Sequence, residues 1–496
     1  MPLLHGFAVC AALTITCLMI GCRTQQQRTN AFAIQSVPRA GDLQPKQDQG
    51  GVSEDDLMPR LQPVSHQSGS VADMSIADMA DADDPFTGVG ELPLELLIAT
   101  VQARNPSLHA AQAAWGAAAE RYPQAVAFDD PMLQTMFAPA SFPSSSPVQS
   151  SYYLGMAQRV QWHGKRELKG QMAQWEAAAA SWDTQEVMLR LASAARMAFF
   201  DYYLVRRELE LNDKNVEVMQ DFRSTAKSKY EANQVSQQDL SAADLELAKL
   251  QQQRLELEQT ERTAVARINT LLHRRPDHPL PLPPNRLTVE DRLPEALLLR
   301  ELASQHRPEL SALAARIQSE QNAVALACKE YYPDFEFMAR YDSFWTDTQQ
   351  RPQVGMNMNV PIRRDRRAAA VRESQFRVSK LIAEHSQQQD TVNEEVQIAY
   401  ARVEANRKAA ALYEARILPA ADTNLEAARA AYVAGSIDFL RLMEARRQFI
   451  EQQIGYQRTL TEYHRSQADL ERAVGSPVGQ MLSPESDGMA IEATEP

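Results

Sequence analysis

Residues 187–209, VMLRLASAARMAFFDYYLVRREL, decide the architecture. Apolar side chains recur at Val187, Leu191, Ala194, Ala198, Tyr202, Val205 and Leu209, and the series resumes at Val216 and Met219. The steps alternate between three and four residues, with one four doubled, which is a coiled-coil seam carrying a stutter. Alanine at several seam positions lets the partner helix approach closely. Outward from this seam, Gln171 to Arg275 is a run of 105 residues with neither Gly nor Pro. That is too long for one ordinary helix. The period pauses at Asn233 to Gln237 and resumes through Leu240, Ala243, Leu247 and Leu250. The pattern predicts an antiparallel helical hairpin with its tip near residue 234. Its first arm, from about residue 171 to 232, would be roughly 90 Å long at 1.5 Å per residue. A second hairpin is expected over about 366–473, with its tip at Gly435-Ser436-Ile437-Asp438. Pro419 falls inside its first arm and must kink or restart it.

The two hairpins belong to a duplication. Asn105-Pro106-Ser107-Leu108 matches Arg307-Pro308-Glu309-Leu310 at an offset of 202. Pro131-Met132-Leu133 matches Pro333-Asp334-Phe335, and Tyr230 to Val235 matches Tyr432 to Ile437, at the same offset. Gly155-Met156 and Val160 recur as Gly355-Met356 and Val360 at an offset of 200. The period is far longer than that of a solenoid, so the body is a duplicated domain. Each half reads helix, strand, strand, then two very long helices.

The strand pairs alternate with period two. Val354, Met356, Met358 and Val360 oppose Gly355, Asn357, Asn359 and Pro361. Phe335, Phe337, Ala339 and Tyr341 oppose Asp334, Glu336, Met338 and Arg340. Tyr152, Leu154, Met156 and Val160 form one face of another strand, and Leu133, Thr135 and Phe137 form the weakest. One apolar face, one polar face and a length near ten are the signature of transmembrane β-strands. Open edges are forbidden in lipid. Four strands cannot close a barrel around a pore, whereas three copies supply twelve. The other reading is a small amphipathic sheet capping a soluble helical bundle.

The ends of the chain are different material. Phe7 to Ile20 is an uncharged, mostly apolar stretch of 14 residues, shorter than the about 20 a spanning helix needs. It fits the core of a signal peptide. It closes on Met19-Ile20-Gly21-Cys22, which resembles a bacterial lipobox with Met in place of the usual leucine. Two readings stand: Cys22 is lipidated as the new N-terminus, or the segment is a plain signal or anchor. The chain thus divides into a signal peptide (1–21), a lipidated cysteine with a disordered linker (22–90), a first repeat (91–290), a second repeat (291–475) and a disordered acidic tail (476–496).

Composition excludes other classes. Glycine is scarce, 18 of 496 residues, and 44% of the chain is hydrophobic, which favours long helices over a sandwich or doubly wound sheet. A net charge of −13 argues against nucleic acid as a partner. Beyond Cys10, Cys17 and Cys22 only Cys328 remains, so the body has neither an intrachain disulfide nor a thiolate metal cluster. No HExxH, P-loop or GxSxG motif is present. His163 reads as a structural turn residue. Met356 and Met358 are thioether ligands in principle, but they share the apolar face with Val354 and Val360. No enzyme and no cofactor is expected.

Residues 91–475 resemble the bacterial outer-membrane efflux factor family of the TolC type, in a lipoprotein-like form. The resemblance rests on Asn105-Pro106-Ser107-Leu108; Gln161-Trp162-His163-Gly164-Lys165-Arg166; Tyr230 to Asn233 with Ser236 and Asp239-Leu240; Arg307-Pro308-Glu309-Leu310; Tyr432 to Leu442; and Leu470 to Gly475. It implies a mainly α fold with a transmembrane β part, assembled as a homotrimer with a twelve-stranded barrel and a long α-barrel. It implies an exit channel in the outer membrane, extending into the periplasm, that passively conducts substrates delivered by an inner-membrane transporter and a periplasmic adaptor. Metal and drug efflux, and protein secretion, all stay open. The competing reading is a periplasmic coiled-coil adaptor or scaffold.

The resemblance also implies where function sits. Cys22 would carry the lipid. The tips, Asn233, Val235 and Ser236 with Gly435, Ile437 and Asp438, would meet the adaptor. Val235 and Ile437 read equally as exposed apolar contacts for a partner or as packing within the tip. Arg441 and Glu444 match a pair of acidic residues that rings the closed entrance in some relatives, with one acid replaced by a base. Asp239 is the matching polar position of the first hairpin. An Asp239–Arg441 pair would latch the entrance; otherwise both are solvated helix residues.

Overall fold

The computed structural model describes residues 85–137, 152–231, 236–289, 293–345 and 347–476. The signal segment, Cys22, nearly all of the linker, Asn233, Val235 and most of the tail lie outside these residues. The first half runs α1 (Leu94–Arg104), α2 (Pro106–Ala119), α3 (Arg121–Val126), β1 (Met132–Phe137), β2 (Tyr152–Val160), α4 (Lys165–Glu231) and α5 (Gln237–Leu271). The second runs α6 (Ala296–His306), α7 (Pro308–Lys329), β3 (Phe335–Asp342), β4 (Pro352–Met358), α8 (Arg364–Leu412), α9 (Leu418–Val433) and α10 (Phe439–Val474). The duplication read from the sequence is therefore a duplication of structure.

α4 starts earlier than the apolar period suggested. Its 67 residues span roughly 100 Å. Its buried surface is also wider than one seam. Leu191, Ala198, Tyr202, Val205 and Leu209 are buried as expected, but so are Ala192, Ala195, Phe199, Phe200 and Tyr203. The reason is tertiary. Leu97, Ile98 and Val101 of α1 pack into the same cluster as Ile268 of α5, so α4 is covered on more than one side. The second half builds its own cluster from Leu299 and Ala303 of α6, Val392, Val396 and Val403 of α8, and Tyr463 and Leu470 of α10.

Pro419 restarts the helix in a specific way. A π-turn at Tyr413–Ile417 joins α8 to α9, absorbing the register change that the missing proline N–H imposes. Gly455 of α10 lies opposite, where a Cβ would stand 2.7 Å from the Tyr413 hydroxyl.

The two repeats tie their hairpin ends in the same place with different chemistry. Asn105 caps α2 by accepting from Ser107 N–H at 3.0 Å and donates through Nδ2 to the Leu271 carbonyl at 2.9 Å. Arg307, at the equivalent position, is 3% exposed and donates to the Arg472 and Ala473 carbonyls at 3.2 Å. Its guanidinium also pairs with Glu309 and Glu395 at 3.0 and 2.9 Å. A cation at the C-terminus of α10 is well placed against the helix dipole. Arg307→Ala is expected to cost about 3 kcal/mol, read as a fall in the thermal midpoint, because it strands the carbonyls and Glu395 together.

Ion pairs then zip the two hairpins along their length. Arg196 meets Glu471 at 2.9 Å, Arg458 meets Glu208 at 2.7 Å, Arg465 meets Asp201, and Arg447 meets Glu246 at 3.6 Å. His464 sits among these, stacked on Phe200 with ring centroids 5.3 Å apart. Burial pushes its imidazole down to about 4 from the ordinary 6.5. The unfolded chain therefore takes up the proton first as pH falls. Stability is full above about 6.5, declines toward about 4, and levels off below, for a total of about 3 kcal/mol per protomer. His464→Phe is expected to flatten that slope in acid unfolding curves.

Candidate functional site: sheet face, junction and hairpin tips

The four strands form one antiparallel sheet in the order β1-β2-β3-β4. β2 and β3 pair across the two repeats, so the expected strand pairs merge. The strands are 6 to 9 residues long rather than near ten. Val360 and Asp334 fall just beyond β4 and β3.

The register converts the period-two pattern into two faces. One row runs Leu133, Met156, Ala339, Val354 across all four strands. Its neighbours are Thr135, Leu154, Tyr341 and Pro352 on one side, and Gln158, Phe337 and Met356 on the other. This face is apolar and open: Val354 is 90% exposed and Leu133 69%. Tyr152, Phe137 and Tyr341 gather at its turn end. At its helical end Trp162 stacks on Tyr332 and Phe335 with centroids 5.1 and 5.9 Å away. An apolar band between aromatic girdles is what a lipid-facing sheet requires. Met356 and Met358 lie in that band, as their sequence spacing indicated.

The opposite face carries Gln134, Arg159, Glu336, Arg340, Asp342 and Asn357. Arg340 donates to Gln353 Oε1 at 2.9 Å, and its guanidinium lies 5.5 Å from the Tyr153 ring. Gly155 permits this crowding, since a Cβ there would meet Arg340 Cβ at 2.6 Å. One face suits lipid and the other suits water.

Below the sheet a buried ion cluster sets the angle between strands and helices. Gly164, with φ at +83°, turns the chain from β2 into α4. Lys165, 1% exposed, donates to Asp334 Oδ1 at 2.9 Å and to the Tyr332 carbonyl at 3.3 Å. Asp334 also accepts from Trp162 N–H at 3.0 Å and Arg159 Nη2 at 3.2 Å, while its own N–H donates to Asn359 at 2.6 Å. Burial alone would push the Asp334 carboxyl up. The Trp162 N–H, Lys165 and Arg159 override that and hold it below the usual aspartate range. The motif Gln161 to Arg166 was visible in the sequence, but its partner Asp334, 169 residues from Lys165, was not. The His163 carbonyl accepts from Lys329 Nζ at 3.5 Å.

At the far end the two tips share one core. Met219, Ala243 and Leu250 of the first hairpin pack with Leu425, Tyr432, Phe439, Leu442 and Met443 of the second. Gly435, φ +70°, closes α9: its N–H bonds to Tyr432 and that of Ser436 to Ala431 at 2.9 Å. Asp438 caps α10 by accepting from Arg441 N–H at 3.1 Å. Ser236 precedes α5 without a side-chain cap. Ile437 is half-buried and packs on the shared core, which is the tip-packing alternative of its two sequence readings. The glycine turn folds it inward. The exposed apolar residues of this tip are Val433 at 77% and Leu440 at 66%, which flank the turn and were passed over in the sequence.

Asp239 and Arg441 form no ion pair with each other among the described residues. Arg441 leans on Asp438 at 3.9 Å, and Glu444 pairs with Arg447 at 3.3 Å. Asp239 lies close enough to Tyr432 that burial first, and this carboxylate second, push the phenol up. The charge pair that does bridge the hairpins near the tips is Arg447–Glu246.

Among the described residues no group of three His, Cys, Asp or Glu side chains is placed to hold a metal. No described helix is long and apolar enough to cross a membrane.

Comparison with known proteins agrees with this geometry. Residues 299–476 match the outer membrane efflux protein family. Comparison with curated proteins found no match. Among solved structures, the outer-membrane channel OprN is 19% identical, with 80% of this chain and 91% of that one covered at a TM-score of 0.67. VceC, an outer membrane protein of Vibrio cholerae, is 17% identical over 78% of this chain and 96% of its own, TM-score 0.65. The open state of the MtrE outer membrane channel of Neisseria gonorrhoeae is 17% identical over 78% and 89%, TM-score 0.66. Residues 299–476 thus carry an outer membrane efflux protein domain, and the chain as a whole has the fold of the TolC-type outer-membrane channels.

Proposed function

We propose that three copies of this chain form the outer-membrane exit channel of a tripartite efflux pump. The observation that carries this is the four-stranded sheet with two unpaired edges, β1 and β4, and one continuous exposed apolar face. Lipid tolerates no open edge, and joining β4 of one copy to β1 of the next closes twelve strands. The polar face then lines the pore. α8 supports the same assembly: from Ala368 to Thr391, beyond its basic first turn, it has no buried residue, and Phe376 is 74% exposed. A neighbouring copy is the natural cover.

In this reading the channel is a passive duct. An inner-membrane transporter supplies the substrate, metal or drug, and a periplasmic adaptor docks on the tips. Val433 and Leu440 join Asn233, Val235, Ser236, Gly435, Ile437 and Asp438 as docking residues. Asp239, Arg441 and Glu444 line the entrance, with Asp239 and Arg441 as its latch in the closed state. Cys22 anchors the chain to the membrane once residues 1–21 are removed, with 22–90 as tether and 476–496 as an acidic tail. A soluble adaptor would have no use for the apolar sheet face.

The test is the native mass and bilayer conductance of protein extracted from outer membranes. A detergent-requiring trimer with stepwise conductance is expected, and Asp239→Ala should raise its leak. A water-soluble monomer or dimer overturns the channel reading. An unchanged leak removes the latch alone.

A further inference from the structure

The charge of this chain is unevenly placed. Against a net −13, residues 363–372 hold five arginines and one aspartate. They begin α8, immediately below the apolar sheet face. The period-two series Val354, Met356, Met358 continues past β4 into Val360 and Ile362, which are 63% and 80% exposed. Arg363 and Arg364 follow at once. Clustered cations at the positive end of a helix repel each other and the dipole, so a counter-charge is needed.

The internal repeat shows what that counter-charge would be if the protein supplied it. At the equivalent junction of the first half, Lys165 is spent on Asp334 at 2.9 Å. Arg166 donates to the Val126 carbonyl at 3.2 Å and lies 3.5 Å over the Phe128 ring. In the second half only Arg367 is used this way, donating to the Glu330 carbonyl at 2.7 Å. Arg363, Arg364 and Arg366 are exposed, and their guanidinium groups make no ion pair among the described residues. One junction is closed by protein, and the other presents its cations outward beside a lipid-facing surface.

We infer that Val360, Ile362, Arg363, Arg364 and Arg366 form a docking surface for anionic phospholipid headgroups of the periplasmic leaflet. The apolar pair meets the acyl region and the arginines meet the phosphates, which guanidinium binds through paired hydrogen bonds. Each surface cation contributes about fivefold to such binding. The surface rests on the outer-membrane reading above, because only that reading puts this rim beside a leaflet.

The experiment reconstitutes the full chain into vesicles of phosphatidylcholine alone and of phosphatidylcholine with about a third phosphatidylglycerol, an anionic lipid that attracts surface cations. The wild type should enter both and favour the anionic vesicles. R363Q/R364Q/R366Q should lose about tenfold or more of that preference while still inserting. The matched Arg→Lys triple should keep most of it, which separates charge from folding. Inorganic phosphate at millimolar levels should not compete, since a free anion lacks the apolar contact. Equal entry of the wild type into both vesicles, or an unchanged preference in the Gln triple, overturns the lipid surface and leaves the channel standing. A Gln triple that no longer forms trimers assigns the arginines to a neighbouring copy and also overturns it. Failure of the wild type to enter either vesicle overturns the channel reading itself.

Discussion

Val354→Arg is expected to abolish the assembled channel. Val354 is 90% exposed at the end of the row Leu133, Met156, Ala339, Val354, near the middle of the apolar band. An arginine facing lipid at that depth costs about 2–4 kcal/mol. In the proposed trimer three copies carry it, so that assembly would lose about 6–12 kcal/mol, comparable to the whole stability of a typical domain. The reading is the fraction of outer-membrane protein that runs as a heat-sensitive trimer on denaturing gels. Asn357→Arg is the control. Asn357 lies on the opposite face and donates to Glu336 at 3.0 Å, so an arginine there gains a partner in water. If both variants assemble like the wild type, the apolar face is not in lipid.

Lys165→Ala should be the most damaging substitution outside the sheet. It removes a 1% exposed cation from a 9% exposed carboxylate, and breaking such a pair from one side costs about 3–5 kcal/mol. Arg159 stays on Asp334 at 3.2 Å, which favours the lower end. The visible effect is thermal unfolding at lower temperature, with the Trp162–Tyr332 stack reporting through fluorescence. Lys165→Met with Asp334→Leu should recover most of the loss, because no charge is then left buried. The pH dependence has a definite sign. Asp334 is held below the ordinary aspartate value of 3.8, so the cluster's contribution is full above that value. It falls as pH drops through the depressed folded value. In Lys165→Ala the acid limb should move to higher pH.

Much of the architecture was legible because it is periodic. The three-four seam around Val187 to Leu209 fixes helix and hairpin, and the period-two runs at Tyr152 to Val160 and Phe335 to Tyr341 fix strands and their apolar side. The duplication, the tips near 234 and 435, and the break at Pro419 followed from spacing and residue type alone. These are local properties, and a chain states them in its own order.

What the tertiary structure decided are contacts between residues far apart in the chain, where no period carries information. It pairs β2 with β3 across the repeats. It gives buried Lys165 its Asp334, and widens the seam of α4 by laying α1 on its back. It turns Ile437 into the tip core and leaves Val433 and Leu440 outside. It also shows that Arg441 rests on Asp438 in the same turn. Residue type states that each of these side chains is apolar, charged or small. Only packing decides which neighbour satisfies it, because burial of an apolar group or pairing of a charge is settled by whichever surface arrives.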